Sequence, residues 1–132
     1  MSFKYDLQKA LNEFMLRTHF NMAEIADKVG VRLYMIQNWK SPNYLYTPNY
    51  LVILKLEDVL GADFSAYYPT DCPVILDFIL RRIKSDLKRS ECAKIMNSSI
   101  KMLNAIETSK IGDLTDKQAK AFSKINNWLN KS

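Results

Sequence analysis

The chain has 132 residues, 48% of them hydrophobic, and contains only 3 glycines and 4 prolines. A chain of this length can bury a core as one compact domain or as two small helical ones, and the shortage of turn residues favours helices over an all-β fold. Two cysteines and one histidine cannot complete a four-ligand zinc site without carboxylates, and no phosphate-binding glycine loop or nucleophile motif is present, so we expect neither an enzyme nor a metal or cofactor site.

Charge and hydropathy restrict the location and the partners. The sequence lacks the apolar run of about 18 residues that a membrane span needs and lacks an apolar N-terminal signal segment, so we expect a soluble protein with no membrane partner. The net charge is +5. Residues 1–68 hold seven basic and seven acidic side chains, whereas residues 69–132 hold twelve and seven, so the whole excess lies in the second half.

The first forty residues predict three helices. Apolar residues recur at three- and four-residue steps over residues 5–18, which indicates an amphipathic helix. Asn21 and Glu24 form a capping-box pair for a second helix over 22–29, Gly30 allows a sharp corner, and a third helix is predicted over 32–40. The second and third helices are expected to cross steeply and to share a core of Ile25, Ala26, Val29, Val31, Ile36 and Trp39.

Two more helices are predicted before residue 69. Thr47 is the expected cap of the fourth, with Pro48 at its first helical position, where the missing N–H costs nothing. Gly61 is well placed to end this helix in left-handed geometry, and a short fifth helix is predicted over 63–68. The apolar stripe of the fourth helix contains Tyr50, Ile53, Leu54, Leu56, Val59 and Leu60.

This ordered pattern over residues 5–68, about half of the chain, resembles the Cro/C1-type (XRE-like) helix-turn-helix domain of phage repressors. The resemblance depends on Ala26, Gly30, Ile36, Trp39, Pro48, Ile53, Leu56, Leu60, Gly61, Phe64 and Tyr67. Two departures stand out. Arg32 occupies the position where the family usually has a Ser or Thr cap, and the loop from Trp39 to Pro48 is about two residues longer than the common form.

The resemblance implies that the start and outer face of the third helix read bases in the DNA major groove. The residues it assigns to base reading are Arg32, Leu33, Tyr34, Gln37 and Asn38. Arginine can bind guanine O6 and N7 through two hydrogen bonds, and Gln or Asn can bind adenine in the same way, whereas Leu33 could either contact a thymine methyl or turn into the core. The expected phosphate contacts are Asn21, Lys40, Asn43 and Tyr44.

Residues 69–132 match no family pattern and predict a three-helix region. One helix runs from Cys72-Pro73 to about residue 89, a second covers 91–109 with Ser90 as its cap, and a third runs from a Thr115/Gln118 capping box to about residue 130. The first of these has an apolar stripe so wide that we expect it to be covered on two sides, either by the other half of the chain or by another subunit. Its opposite face is basic, with Arg81, Lys84 and Lys88 and, nearby, Arg82 and Arg89.

The sequence therefore predicts an all-α protein, with a five-helix DNA-binding domain at 1–68 and a helical dimerisation or interaction region at 69–132. The leading hypothesis is a transcriptional repressor of phage or mobile-element type in the cytoplasm of a bacterial host cell. It would bind an inverted-repeat operator in double-stranded DNA as a homodimer through residues 69–132.

Two alternatives stay open. In the first, the helix-turn-helix regulates its own gene while the C-terminal half inhibits or binds another protein, an architecture similar to that of some phage anti-CRISPR proteins. In the second, the basic C-terminal half adds nonspecific contacts to phosphates alongside the motif.

Overall fold

The computed structural model describes residues 2–41, 47–110 and 112–131. Over those ranges the chain forms eight α-helices and one 3-10 turn and has no β-strand, which confirms the all-α class. No helix in these ranges is long and apolar enough to cross a membrane. The chain divides into two compact units, Met1–Tyr68 (unit 1) and Pro69–Ser132 (unit 2).

Over residues 2–41 and 47–68, unit 1 contains four α-helices and the 3-10 turn. They are α1 (Phe3–Thr18), α2 (Met22–Val29), α3 (Leu33–Lys40), α4 (Tyr50–Leu60) and the 3-10 turn Ser65–Tyr67. The first helix begins two residues earlier than predicted, because the Ser2 hydroxyl accepts a hydrogen bond from the N–H of Tyr5 and caps the helix. Helices α1 and α2 both pack against α3 and α4.

The start of the fourth helix differs from the prediction. Thr47 and Pro48 lie outside α4, and Asn49 is the cap, with its side-chain oxygen 3.0 Å from the N–H of Val52. Asn is at least as strong a cap as Thr, and placing it at this position leaves Pro48 just before the helix, where it needs no N–H. The predicted end is confirmed, since Gly61 has φ 66°.

The predicted fifth helix over 63–68 is only a 3-10 turn, Ser65–Tyr67. Tyr68 precedes Pro69 and has extended backbone, with φ −65° and ψ 146°, so the segment stops before an α-helix can form. Its first N–H groups have side-chain acceptors: Glu57 accepts from the N–H of Phe64, and Asp63 accepts from the N–H of Ser65. The side-chain and backbone hydrogen bonds from Ser65 also lower the pKa of Asp63 below its ordinary value. The segment is therefore limited to one short 3-10 turn, and side chains accept the hydrogen bonds of its first backbone N–H groups.

The core of unit 1 is apolar throughout its described residues. The buried side chains are Phe3, Leu7, Ala10, Leu11, Phe14, Ile25, Ala26, Val29, Ile36, Trp39, Ile53, Leu56, Leu60 and Phe64. At the edge of this core, the Tyr67 hydroxyl donates to Asp6 and the Tyr68 hydroxyl donates to Glu57, both at 2.5 Å. Burial and the bond to Asp6 raise the pKa of Tyr67 to about 12. These two bonds attach the end of unit 1 to α1 and α4.

Over residues 69–110 and 112–131, unit 2 has four helices where three were predicted. They are α5 (Pro73–Lys84), α6 (Arg89–Ile95), α7 (Ile100–Glu107) and α8 (Asp116–Lys131). The first predicted long helix ends early, at Lys84, and the second is divided into α6 and α7, because Asp86 and Asn97 each adopt φ 53° and interrupt the helical path. Asp and Asn enter the left-handed region more easily than other non-glycine residues.

The caps in unit 2 follow from these breaks. Ser90 lies inside α6 rather than capping it, and Ser99 caps α7 by accepting from the N–H of Met102. The predicted capping box of the last helix is confirmed: Thr115 accepts from the N–H of Gln118, and Gln118 accepts from the N–H of Thr115.

The wide apolar stripe of α5 is covered within unit 2. Helix α5 packs against both α7 and α8, so it has two neighbours in its own unit. Ile75, Phe78 and Ile79 are buried, and the ring of Phe78 meets the ring of Phe122 edge to face at 5.3 Å. We expected residues 1–68 or another subunit to cover this stripe, and that expectation is wrong for most of its residues, because α7 and α8 cover them. Val74 stays 59% exposed.

The basic face predicted on this helix is also smaller than expected. Arg82 is buried and forms a two-point ion pair with Glu107, with N···O distances of 2.6 and 3.0 Å, and Arg89 lies 3.1 Å from the same carboxylate. Arg81 pairs with Asp77 at 3.0 Å. Of the predicted basic residues, Lys84 and Lys88 are exposed and have no ion pair in the described part of the chain.

Candidate nucleic-acid interface

Helices α2 and α3 form a compact unit with a sharp corner. The capping box at its start is confirmed: the side-chain oxygen of Asn21 accepts from the N–H of Glu24 at 2.8 Å, and the Glu24 carboxylate accepts from the N–H of Asn21 at 3.1 Å. Gly30 has φ 84°, and its N–H bonds the carbonyl of Ala26 at 2.9 Å. This left-handed residue ends α2, and α3 begins three residues later.

The inner face of this pair fixes its orientation on the core. Ala26, Ile36 and Trp39 are buried, whereas Gly30 lies exposed at the corner. Since Ile36 and Trp39 are three residues apart, their burial defines which face of α3 points inward. The residues on the other side of α3 must then point outward.

The predicted base-reading residues all lie on that outer side. Arg32, Leu33, Tyr34, Gln37 and Asn38 are exposed. Leu33 is 37% exposed and Tyr34 is 53% exposed, so of the two alternatives for Leu33 the structure shows the outward one. Among the described residues, the side chains of Arg32, Tyr34, Gln37 and Asn38 form no hydrogen bond, and their donors and acceptors remain available to a ligand.

The start of α3 lacks a side-chain cap. Arg32 occupies the cap position without forming a cap hydrogen bond, whereas Ser2, Asn21 and Asn49 each cap the other α-helices of unit 1. The first N–H groups of α3, those of Leu33 and Tyr34, therefore have no side-chain acceptor. Helix N-termini carry partial positive charge, and the guanidinium of Arg32 adds to it at this end.

Of the four predicted phosphate contacts, the structure describes Asn21 and Lys40. The side-chain oxygen of Asn21 is occupied by the cap, and the Glu24 carboxylate lies at the same helix start, where its charge opposes the approach of a phosphate. Lys40 is the last residue of α3, and its ammonium lies 3.6 Å from the sulfur of Met22 in α2. Asn43 and Tyr44 lie outside the described residues, so their predicted contacts stay predictions.

One basic residue near the corner was missed by the sequence analysis. A Cβ added to Gly30 would lie 3.8 Å from the ammonium of Lys55, which is on the exposed face of α4. Its charge is therefore beside the α2–α3 corner. Helical spacing places Lys55 on the outer side of α4, but only the packing of α2 against α4 brings it to this corner.

Two other cations of unit 1 are engaged with aromatic rings. The Arg17 guanidinium lies 5.4 Å from the centre of the Phe14 ring, and the Lys28 ammonium lies 5.0 Å from that of Phe20. Such contacts hold the charged groups against the surface of the unit. Arg32, at the cap position of α3, and Lys55, beside the corner, have no such ring contact among the described residues.

Neither a disulfide nor a cluster of metal ligands is present among the described residues. Cys92 is buried, Cys72 is half-buried and neither is in a disulfide; burial raises the pKa of the Cys92 thiol. Among the described residues, no group of three or more His, Cys, Asp or Glu side chains could hold a metal ion. No family model, curated protein or solved structure matches the chain.

Proposed function

We propose that the chain is a sequence-specific DNA-binding transcriptional regulator, a repressor of phage or mobile-element type, and that α2 and α3 act as a Cro/C1-type helix-turn-helix. One observation carries the proposal. Four exposed residues of α3 and its cap residue Arg32 lie at the start and along the outer side of the helix, and its inner side is fixed by buried Ile36 and Trp39. A rigid helix with such a face suits the major groove.

The dimensions and chemistry of α3 support this role. A helix of 8 residues is about 12 Å long, close to the width of the major groove. Arg32 can bind guanine through two hydrogen bonds, and Gln37 and Asn38 can each bind adenine in the same way. Tyr34 and Leu33 offer apolar contact to a thymine methyl. The uncapped start of the helix adds N–H groups that suit a phosphate.

A single reading helix contacts only a few base pairs, so the proposal includes a homodimer on an inverted repeat, formed through residues 69–132. Two copies double the contacts and give the operator the two-fold symmetry of the protein. Repression then requires only that the bound dimer blocks a promoter. No catalytic step is involved.

A mobility-shift assay on the operator tests the assignment of α3. The test variant combines Tyr34→Ala, Gln37→Ala and Asn38→Ala. Its matched control combines Tyr5→Ala, Gln8→Ala and Asn12→Ala, which removes the same three residue types from the exposed face of α1. We expect the α3 variant to lose on the order of 30-fold or more in affinity, because each pair of base contacts is worth about 1–3 kcal/mol.

The control should keep wild-type affinity. Equal binding by wild type and the α3 variant would refute the assignment. Circular dichroism of both variants shows whether the helices remain intact, which is expected because all six residues are exposed.

A further inference from the structure

Unit 2 contains a cavity of about 290 Å³ between the α6–α7 turn and helix α8. Helices α6 and α7 both pack against α8, so the cavity is bounded by three elements of one unit. Its lining residues are Met96, Asn97, Ser98, Met102, Lys117, Lys120, Ala121 and Lys124. The floor is apolar and the rim is cationic and polar.

Three lysines on one face of α8 converge on this cavity. Lys117, Lys120 and Lys124 follow each other at three- and four-residue steps, which places them on one side of the helix over about 10 Å. Ala121 lies between them and is buried, and its small side chain leaves the space that they surround. The lysines are therefore grouped by the fold and are not merely near each other in sequence.

The charge of this cavity is not neutralised by the protein. Within the described residues, the ion pairs of unit 2 involve Arg81, Arg82 and Arg89, and none involves a lysine of α8. The cavity lining contains no carboxylate. Three like charges that line one cavity repel each other, and a bound anion relieves that repulsion.

The turn opposite the lysines adds neutral hydrogen-bond donors. Asn97 is held at φ 53° and, with Ser98, lines the cavity across from α8. Neither side chain forms a hydrogen bond within the described part of the chain. An amide and a hydroxyl beside lysines are groups that commonly contact phosphate oxygens.

We propose that this cavity binds phosphates of a DNA backbone, through Lys117, Lys120, Lys124 and the Asn97 amide. A row of cations about 10 Å long suits a strand that carries repeated phosphates better than it suits one small anion. The contact adds affinity without sequence preference. It does not depend on base reading by α3, so either proposal can fail while the other stands.

Salt-dependent binding to a fluorescent 20-base-pair duplex of arbitrary sequence tests the site in the full chain. The test variant is Lys117→Ala, Lys120→Ala, Lys124→Ala. The control, Lys84→Ala, Lys110→Ala, Lys131→Ala, removes the same charge from exposed lysines outside the cavity. The slope of log affinity against log salt concentration should become shallower by about 2 to 3 in the test variant, since each lost phosphate contact removes about 0.9.

The control slope should change by less than about 1. Equal changes in both variants, or no change in either, would overturn the proposal. The test variant should still prefer the operator over other sequences, whereas the α3 variant should lose that preference, so the two proposals are tested separately.

A pair of single-residue variants tests the cavity with one added negative charge. Asn97→Asp places a carboxylate in the cavity and keeps a residue type that tolerates a positive φ, whereas Asn12→Asp adds the same charge on the exposed face of α1 in unit 1. We expect Asn97→Asp to weaken duplex binding about fivefold, the effect of one charge pair at about 4 Å in water, and Asn12→Asp to weaken it less. Equal weakening would contradict the site.

The source of the phosphate is tested by titrating the wild type with adenosine monophosphate and with inorganic phosphate. We expect no saturable binding of either below millimolar concentration. Tight binding of the mononucleotide with an unchanged duplex slope in the lysine variant would overturn the assignment to a DNA backbone.

Discussion

The two units differ in whether they bury charged side chains. In unit 1 the buried described residues are all apolar, and Tyr34, Gln37 and Asn38 of α3 lie exposed with no side-chain hydrogen bond to another described residue. In unit 2, Arg82 and Glu107 are buried as an ion pair, and Arg89 joins them from the surface. Yet unit 1 is neutral and unit 2 carries the whole net charge of +5.

This difference shows that net charge is a poor guide to a binding surface. Three arginines of unit 2 are already paired with carboxylates of the same unit and are not free for a ligand. The proposed interface is instead in the neutral unit, where Arg32 and the exposed polar residues Tyr34, Gln37 and Asn38 of α3 form no side-chain hydrogen bond with the other described residues. In unit 2 the lysines of α8, rather than the arginines, are available.

The largest effect is expected when the buried Arg82–Glu107 ion pair of unit 2 is broken. Glu107→Ala leaves the guanidinium of Arg82 buried without its partner, which should lower the free energy of unfolding by about 3–5 kcal/mol. Urea unfolding followed by circular dichroism measures the loss. The double variant Arg82→Met, Glu107→Leu should recover most of it, because an apolar pair of similar volume needs no charge compensation.

The matched control removes an exposed acidic partner instead. Asp77→Ala breaks the Arg81 ion pair, whose carboxylate is 67% exposed, and should cost less than about 1 kcal/mol. If Glu107→Ala lowers the free energy of unfolding no more than Asp77→Ala does, the expected difference between the buried and the exposed ion pair is contradicted.

A smaller test compares the corner of unit 1 with a glycine turn in unit 2. Gly30 and Gly112 have φ 84° and 82°, and in neither case would a Cβ clash with a neighbour. Alanine at either position should therefore destabilise the chain by a similar amount, about 1–2 kcal/mol, from the left-handed backbone alone.

The consequences for DNA binding should differ. Gly30→Ala strains the corner that aims α3, so it should weaken operator binding in a mobility-shift assay beyond its effect on stability. Gly112→Ala should leave binding unchanged at temperatures where both variants are folded. Equal binding by the two variants would contradict a role for the corner in positioning α3.

The smallest expected effect concerns the edge of the apolar core. Tyr67→Phe removes the hydrogen bond to Asp6 and should lower the free energy of unfolding by about 1 kcal/mol. Because the folded pKa of Tyr67 is raised to about 12 from 10.0, the bond stabilises fully below about pH 10 and is lost as pH rises towards 12.

Urea unfolding of wild type and Tyr67→Phe at pH 8 and at pH 11.5 measures that difference. The stability gap between the two proteins should shrink at the higher pH. A constant gap would show that the tyrosine hydroxyl does not titrate between folded and unfolded states in this range.

Local signals in the sequence were enough to predict much of unit 1. The Asn21/Glu24 capping box and the positive φ of Gly30 and Gly61 follow from residue types whose preferences are strong over three or four positions. The burial of Ile36 and Trp39, and so the outward direction of α3, follows from helical spacing alone.

Unit 2 was predicted less well, for reasons that are also physical. The apolar spacing of its helices continues across Asp86 and Asn97, so periodicity gives no sign of the breaks. The Arg82–Glu107 pair joins residues 25 positions apart in sequence, and its burial depends on how α5 packs against α7. Helical spacing places the lysines of α8 on its outer side, but the cavity that groups them exists only in the packed unit.

Selection of bound sequences from random double-stranded DNA tests the DNA-reading role of α3 most directly. We expect the wild type to enrich an inverted repeat whose half-site centres lie about 10 base pairs, or a multiple of that distance, apart. The variant Tyr34→Ala, Gln37→Ala, Asn38→Ala should enrich no sequence. Failure of the wild type to enrich any sequence, or enrichment of the same repeat by both proteins, would contradict base reading by α3.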